Sequence, residues 1–230
     1  MDTPRLHLQP RLDPRPRREW PIAAGLLLLA LVPSIAGAFR IGEIASGATE
    51  TAANARFMQM PLPVLLHITG ALVYSMVGAF QFLPRLRRDH NAWHRFAGRY
   101  LLLPAGFIVA LTGLWMTAFY DTPAIDDRAV AVSRYVVGAL MLACLVLGIA
   151  AIRRHDYAAH GSWMIRAYAL ALGAGTQVLT AGPPLLLFGE PSELARLIQM
   201  DAGWLINVLV AEWIIARRRA ASRRPATMTA

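Results

Sequence analysis

Apolar residues in this chain gather into six long runs, residues 20–39, 62–83, 96–119, 129–152, 162–188 and 197–216, separated by short polar stretches. Each run is about 20 residues or more, long enough as a helix to cross a hydrocarbon core of roughly 30 Å. The polar stretches are short, as expected where lipid forces the backbone to satisfy its own hydrogen bonds. The pattern predicts an all-α polytopic membrane protein of six transmembrane helices. Composition agrees, with 56% hydrophobic and 16% charged residues. The expected organisation is a basic N-terminal tail, 1–19, a membrane domain, 20–216, and a basic C-terminal tail, 217–230.

Arginine placement predicts orientation, because basic residues are retained on the cytoplasmic side. Arg5, Arg11, Arg15, Arg17 and Arg18 precede the first span, Arg85, Arg87, Arg88, Arg95 and Arg99 follow the second, Arg153, Arg154 and Arg166 follow the fourth, and Arg217, Arg218, Arg219, Arg223 and Arg224 follow the sixth. The opposite side carries Glu43, Glu50, Asp121, Asp126, Asp127, Glu190 and Glu193. Both termini are therefore expected in the cytoplasm. The net charge of +9 has the same origin: its arginines are spread over juxtamembrane segments, where they meet anionic lipid headgroups rather than nucleic acid. No lysine occurs, which excludes Schiff-base chemistry. Cys144 is the only cysteine, so no disulfide or thiolate cluster forms within the chain. Residues 17–38 have some features of a signal peptide, but the long polar lead favours an uncleaved anchor.

A motif occurs twice. Arg87-Arg88 is followed six residues on by His94, and Arg153-Arg154 six residues on by His160; an arginine and a tyrosine follow each histidine, Arg99 with Tyr100 and Arg166 with Tyr168. Spans 2–3 and 4–5 thus read as a parallel hairpin repeat, which would bring the two histidines to one depth on opposite sides of an axis along the membrane normal. Facing histidines can ligate a haem iron. Gly98 and Gly161 would let a flat macrocycle approach the helices, and Arg95, Arg99 and Arg166 would meet its propionates. His94 and His160 are also candidates for ordinary interfacial hydrogen bonds. His67, about 8 Å below the outer end of its span by helix rise, has no histidine partner in the repeat and is a candidate second site, for a quinone oxygen, for one exchangeable ligand position or for a hydrogen bond within the bundle.

Charge inside a bilayer seldom occurs without a partner or a task. Arg134 and Asp201 share the outer layer and are expected to pair; Glu212 is expected to meet Arg166 or Arg99 in the inner layer. A structural role for these pairs is expected over a proton or solute relay, since the centre of the bilayer is left apolar.

The stretch from His67 through Phe80-Gln81-Phe82, Arg85 to Arg88, His94-Arg95-Phe96-Ala97-Gly98-Arg99 and His160-Gly161-Ser162-Trp163-Met164-Ile165-Arg166-Ala167-Tyr168 resembles bacterial membrane proteins of the domain-of-unknown-function family 2306. The resemblance covers about residues 55–185 and implies a bacterial inner-membrane location. The chain departs from the family's pattern at Gln177, where members often carry arginine. A wider, architectural likeness is to six-helix transmembrane cytochromes of the ascorbate-reducible type, whose central helices ligate two haems through histidines on alternate helices. Spans three and five would keep one such pair, His94 and His160, and spans two and four only His67. The expected function is one-electron transfer through a single haem b near the cytoplasmic face, exchanging with a quinone. The alternatives are a cofactor-free protein binding an anionic lipid or phosphate-bearing ligand, and a small transporter using Arg134, Asp201 and Glu212. Substrate, redox partner and oligomeric state are not written in the sequence.

Overall fold

The computed structural model describes residues 19–222 apart from 124 and 127. The tail arginines from Arg5 to Arg18, Arg223 and Arg224, and Asp127, lie outside the described residues. The elements are α1 (Trp20–Ala45), α2 (Ala55–Gln59), α3 (Pro61–Gln81), α4 (Pro84–Asp89), α5 (Asn91–Phe96), a π-helical segment (Ala97–Leu102), α6 (Leu103–Phe119), α7 (Arg128–Arg153), α8 (Tyr157–Ala171), α9 (Gly173–Phe188) and α10 (Glu193–Ser222). There is no strand among the described residues. Six helical stretches are long and apolar enough to cross a membrane: α1, α3, α5 through α6, α7, α8 through α9, and α10. Most extend past the apolar runs into polar flanks, because a helix that leaves lipid keeps its hydrogen-bond ladder in water. Prolines open α3 and α4, where a missing N–H costs nothing. Asp156 caps α8, its Oδ1 accepting from the Ala159 N–H at 2.8 Å.

Within the bundle α3 packs against α6, α6 against α7, and α7 against α8; α1 lies along α3 and α9, and α10 along α8 and α9. Without a hydrophobic force between helices in lipid, close approach depends on small residues. A Cβ on Gly78 would enter the Tyr168 ring, and one on Gly175 would meet the Leu29 carbonyl of α1. These contacts set the spacing of α3 to α8 and of α1 to α9. At the centre are Tyr74, Ala105, Met141, Leu145, Ala167 and Tyr168. Large apolar side chains such as Leu186 and Phe188 stay exposed on the outside, where lipid would cover them.

Two membrane helices depart from regular geometry. Pro104, second in α6, has no N–H for the Tyr100 carbonyl, and just before it the Leu103 N–H reaches back five residues to the Gly98 carbonyl. The π segment therefore begins three residues after His94 and turns its face relative to α6. The other departure is the break between α8 and α9 at Leu172, beside Gly173 and Gly175. Asn207 of α10 services it: Nδ2 donates to the Ala169 carbonyl at 3.1 Å, and Oδ1 accepts from the Thr176 hydroxyl at 2.7 Å. The π turn falls in the third membrane helix and the break in the fifth, so the expected hairpin repeat is not matched in local geometry.

Candidate functional site

His160 stands in the first turn of α8, positioned by the Asp156 cap. Its Nδ1 lies 2.9 Å from the Gly148 carbonyl of α7. A carbonyl only accepts, so Nδ1 carries the proton and Nε2 keeps a free lone pair. His94, half-buried on α5, lies within electrostatic reach of both His160 and Arg87. Near each histidine in sequence a glycine borders open space: a Cβ on Gly98 or Gly161 would meet nothing within 4 Å. Among the described residues no group of three or more His, Cys, Asp or Glu that could hold a metal ion gathers.

One residue of the Phe80-Gln81-Phe82 element, to which sequence reasoning gave no role of its own, stands out. Both amide atoms of Gln81 are buried with no hydrogen-bond partner among the described residues. Gln81 lies three residues beyond Gly78 and seven beyond Tyr74 on α3, hence on the stripe turned to α8. A buried, unpaired amide is costly. Its signal in the sequence was a lone polar residue between Phe80 and Phe82.

The arginines divide. Arg95 and Arg99 are exposed, and the Arg99 guanidinium lies 5.6 Å from the centre of the Tyr100 ring. Arg166 does not point to the histidines. Its Nε and Nη2 donate to the two Glu212 carboxylate oxygens at 2.5 and 2.9 Å, and its guanidinium covers the Trp163 ring at 4.6 Å. Of the two partners open to Glu212, Arg166 is the one used, because a guanidinium fork matches both carboxylate oxygens at once.

The expected pairing of Arg134 with Asp201 is overturned. Arg134 Nη2 binds Asp126 Oδ2 at 2.5 Å, and Arg196 Nε binds Asp126 Oδ1 at 2.8 Å. Arg134 is less than two turns into α7, so its long side chain reaches back to the end of the bundle, where a charge is cheaper to hold than in hydrocarbon. Asp126 is only 5% exposed. Burial pushes its carboxyl up, but the hydrogen bonds from Arg196 and Arg134 outweigh this and hold it below the usual carboxylate value. Asp201 accepts instead from the Ser133 hydroxyl at 3.0 Å, and its other oxygen is buried without a partner among the described residues.

His67 hydrogen-bonds within the bundle. Its Nδ1 is 3.1 Å from the Val109 carbonyl and 3.0 Å from the Thr112 hydroxyl oxygen, both on α6. Gln177 donates to the Met200 carbonyl at 3.1 Å. His67 and the His94–His160 pair are therefore separate sites, the first toward the acidic end of the bundle and the second at the arginine-rich end.

Compared with known proteins, the chain matches the family described as "Predicted membrane protein (DUF2306)" over residues 64–215, about two thirds of its length. The match contains all three histidines just described and leaves out α1. No curated protein and no solved structure matches the chain.

Proposed function

Given that the chain belongs to the DUF2306 family of predicted membrane proteins, we propose that this integral membrane protein carries single electrons through one haem b held by His94 and His160, exchanging with a quinone. The observation that carries the reading is the hydrogen bond from His160 Nδ1 to the Gly148 carbonyl. That bond fixes the tautomer, orients the ring and leaves on Nε2 the lone pair with which His160 would hold the group. His94 supplies the second imidazole within electrostatic reach. Two imidazole donors are the chemistry such a group needs, and a flat ring would need the room left where a Cβ on Gly98 or Gly161 would meet nothing within 4 Å.

When bound, the haem would supply the one-electron redox chemistry. The chain's own part is to orient, tune and neutralise. Arg95 and Arg99 would supply charge for the propionates, while Arg166 stays with Glu212 and ties α8 to α10. His94 and His160 would both be taken up in holding the haem, so electron transfer rather than oxygen activation is the chemistry it would supply. In this reading the protein sits in a bacterial inner membrane with the histidine pair near the cytoplasmic face. Both termini are then cytoplasmic: a reporter fused after Ala230 should be active only in its cytoplasmic form, and periplasmic activity would overturn the orientation.

The absorption spectrum of the full chain, purified from cells supplied with haem precursor, tests the ligation. Reduction should resolve separate α and β bands of a low-spin b-type haem. A high-spin spectrum would rule out shared ligation by two imidazoles.

A further inference from the structure

A cavity of about 220 Å³ lies among α1, α3, α6, α8 and α9, away from the histidine pair. Its walls include Ser34, Ala71, Tyr74, Tyr168 and, as the one ionisable group besides the tyrosines, His67. Around His67 the hydrogen bonds settle the tautomer. The Thr112 hydroxyl donates its own proton to the Ile108 carbonyl at 2.5 Å, so both groups beside His67 Nδ1, Thr112 Oγ1 and the Val109 carbonyl, offer lone pairs. Nδ1 must therefore be the protonated nitrogen, and Nε2 is an acceptor.

The ring is also aimed. A Cβ on Gly113 would lie 3.4 Å from His67 Cε1 and 3.8 Å from Nδ1, so that edge faces α6 and the Nε2–Cδ2 edge turns away from it. Among the described residues no donor reaches Nε2. The Tyr168 hydroxyl is already committed to the Ser75 carbonyl at 2.7 Å. Tyr74 also lines the cavity, with its ring edge against Gly106 of α6, and no described residue hydrogen-bonds its hydroxyl.

We propose that this cavity binds the hydroquinone headgroup of a lipid-soluble carrier, with one ring hydroxyl donating to His67 Nε2. A cavity of roughly 150 Å³ can hold benzene, so this one has room for a substituted ring. Its walls are membrane-spanning helices, which selects a ligand that partitions into lipid. An unprotonated Nε2 selects a hydroxyl donor over a carbonyl, and hence the reduced carrier over the oxidised one. Tyr74 is the partner for the second oxygen. The choice of hydroquinone among hydroxylated rings rests on the electron-transfer reading above; the need for a hydroxyl donor does not.

The test is anaerobic calorimetric titration of the full chain in detergent with a decyl-substituted benzohydroquinone and with its dimethyl ether. The hydroquinone should bind roughly tenfold more tightly, the worth of one hydrogen bond to a buried acceptor. Filling the cavity with Ser34→Phe should abolish binding of both, and His67→Leu should bring the hydroquinone down to the level of the ether. Equal affinity of hydroquinone and ether for the unaltered protein would overturn the proposal, and needs no variant to fold. Binding is read whether or not haem is present, so a colourless protein that prefers the hydroquinone sinks only the haem reading. A haem-loaded protein that binds both compounds alike sinks only this one.

Discussion

Replacing His160 with alanine should leave the purified protein without haem, and His94→Ala should do the same. The expected loss is large because an axial pair acts as a unit. With one imidazole gone only a single side chain would remain to hold the group, and in His160→Ala the ring oriented by the Gly148 carbonyl is the one lost. Soret absorbance per chain is the readout, with His67→Ala as control, since His67 hydrogen-bonds to α6 away from the pair. Imidazole added to His160→Gly should restore part of the band. Full haem content in either alanine variant would show that the two residues do not ligate it.

The second large effect is expected at the opposite end of the bundle. Asp126 is the common anion of Arg134 and Arg196, and it joins the turn before α7 to the first turn of α10. Asp126→Asn keeps the shape but leaves two part-buried guanidinium groups without their carboxylate. Removing one partner of a buried ion pair costs about 3 kcal/mol or more, so thermal unfolding should begin at a clearly lower temperature. Asp201→Asn, which keeps an acceptor for Ser133 and strands no arginine, should be tolerated far better. Equal effects of the two changes would contradict this assignment.

The same contact has a pH signature. The folded-state pKa of Asp126 lies below its ordinary value of 3.8. Its contribution to stability is therefore fully present above that value and is lost as pH falls through the depressed one. The Asp126→Asn protein should lack this part of the acid dependence.

How much of this was legible in the sequence follows the length scale of each signal. The six spans could be read because each apolar run must match a bilayer thickness, a constraint summed over about 20 residues. The Arg166–Glu212 pair was foreseen as one of two options, since few charges share that layer. Arg134 was assigned by depth alone, and depth ignores the reach of an arginine side chain; nothing local set Asp126 apart from its acidic neighbours. The π segment was not anticipated: Pro104 lies just after it, but only the ladder reveals the Leu103 to Gly98 hydrogen bond. The break at Leu172 depends on Asn207, which lies 35 residues away, and no local pattern carries that contact. For the candidate sites, the repeated Arg-Arg-x5-His motif pointed to His94 and His160, whereas the tautomers of His160 and His67 needed atomic neighbours. The relay alternative loses ground on the same contacts, because Arg134 and Glu212 are each held by an opposite charge.

The most direct measurement is the ratio of haem to protein in the full chain, purified after expression with ample haem precursor and determined as the pyridine haemochrome. The account predicts haem b at about one per chain, since one imidazole pair ligates one iron. A colourless protein under those conditions would contradict it.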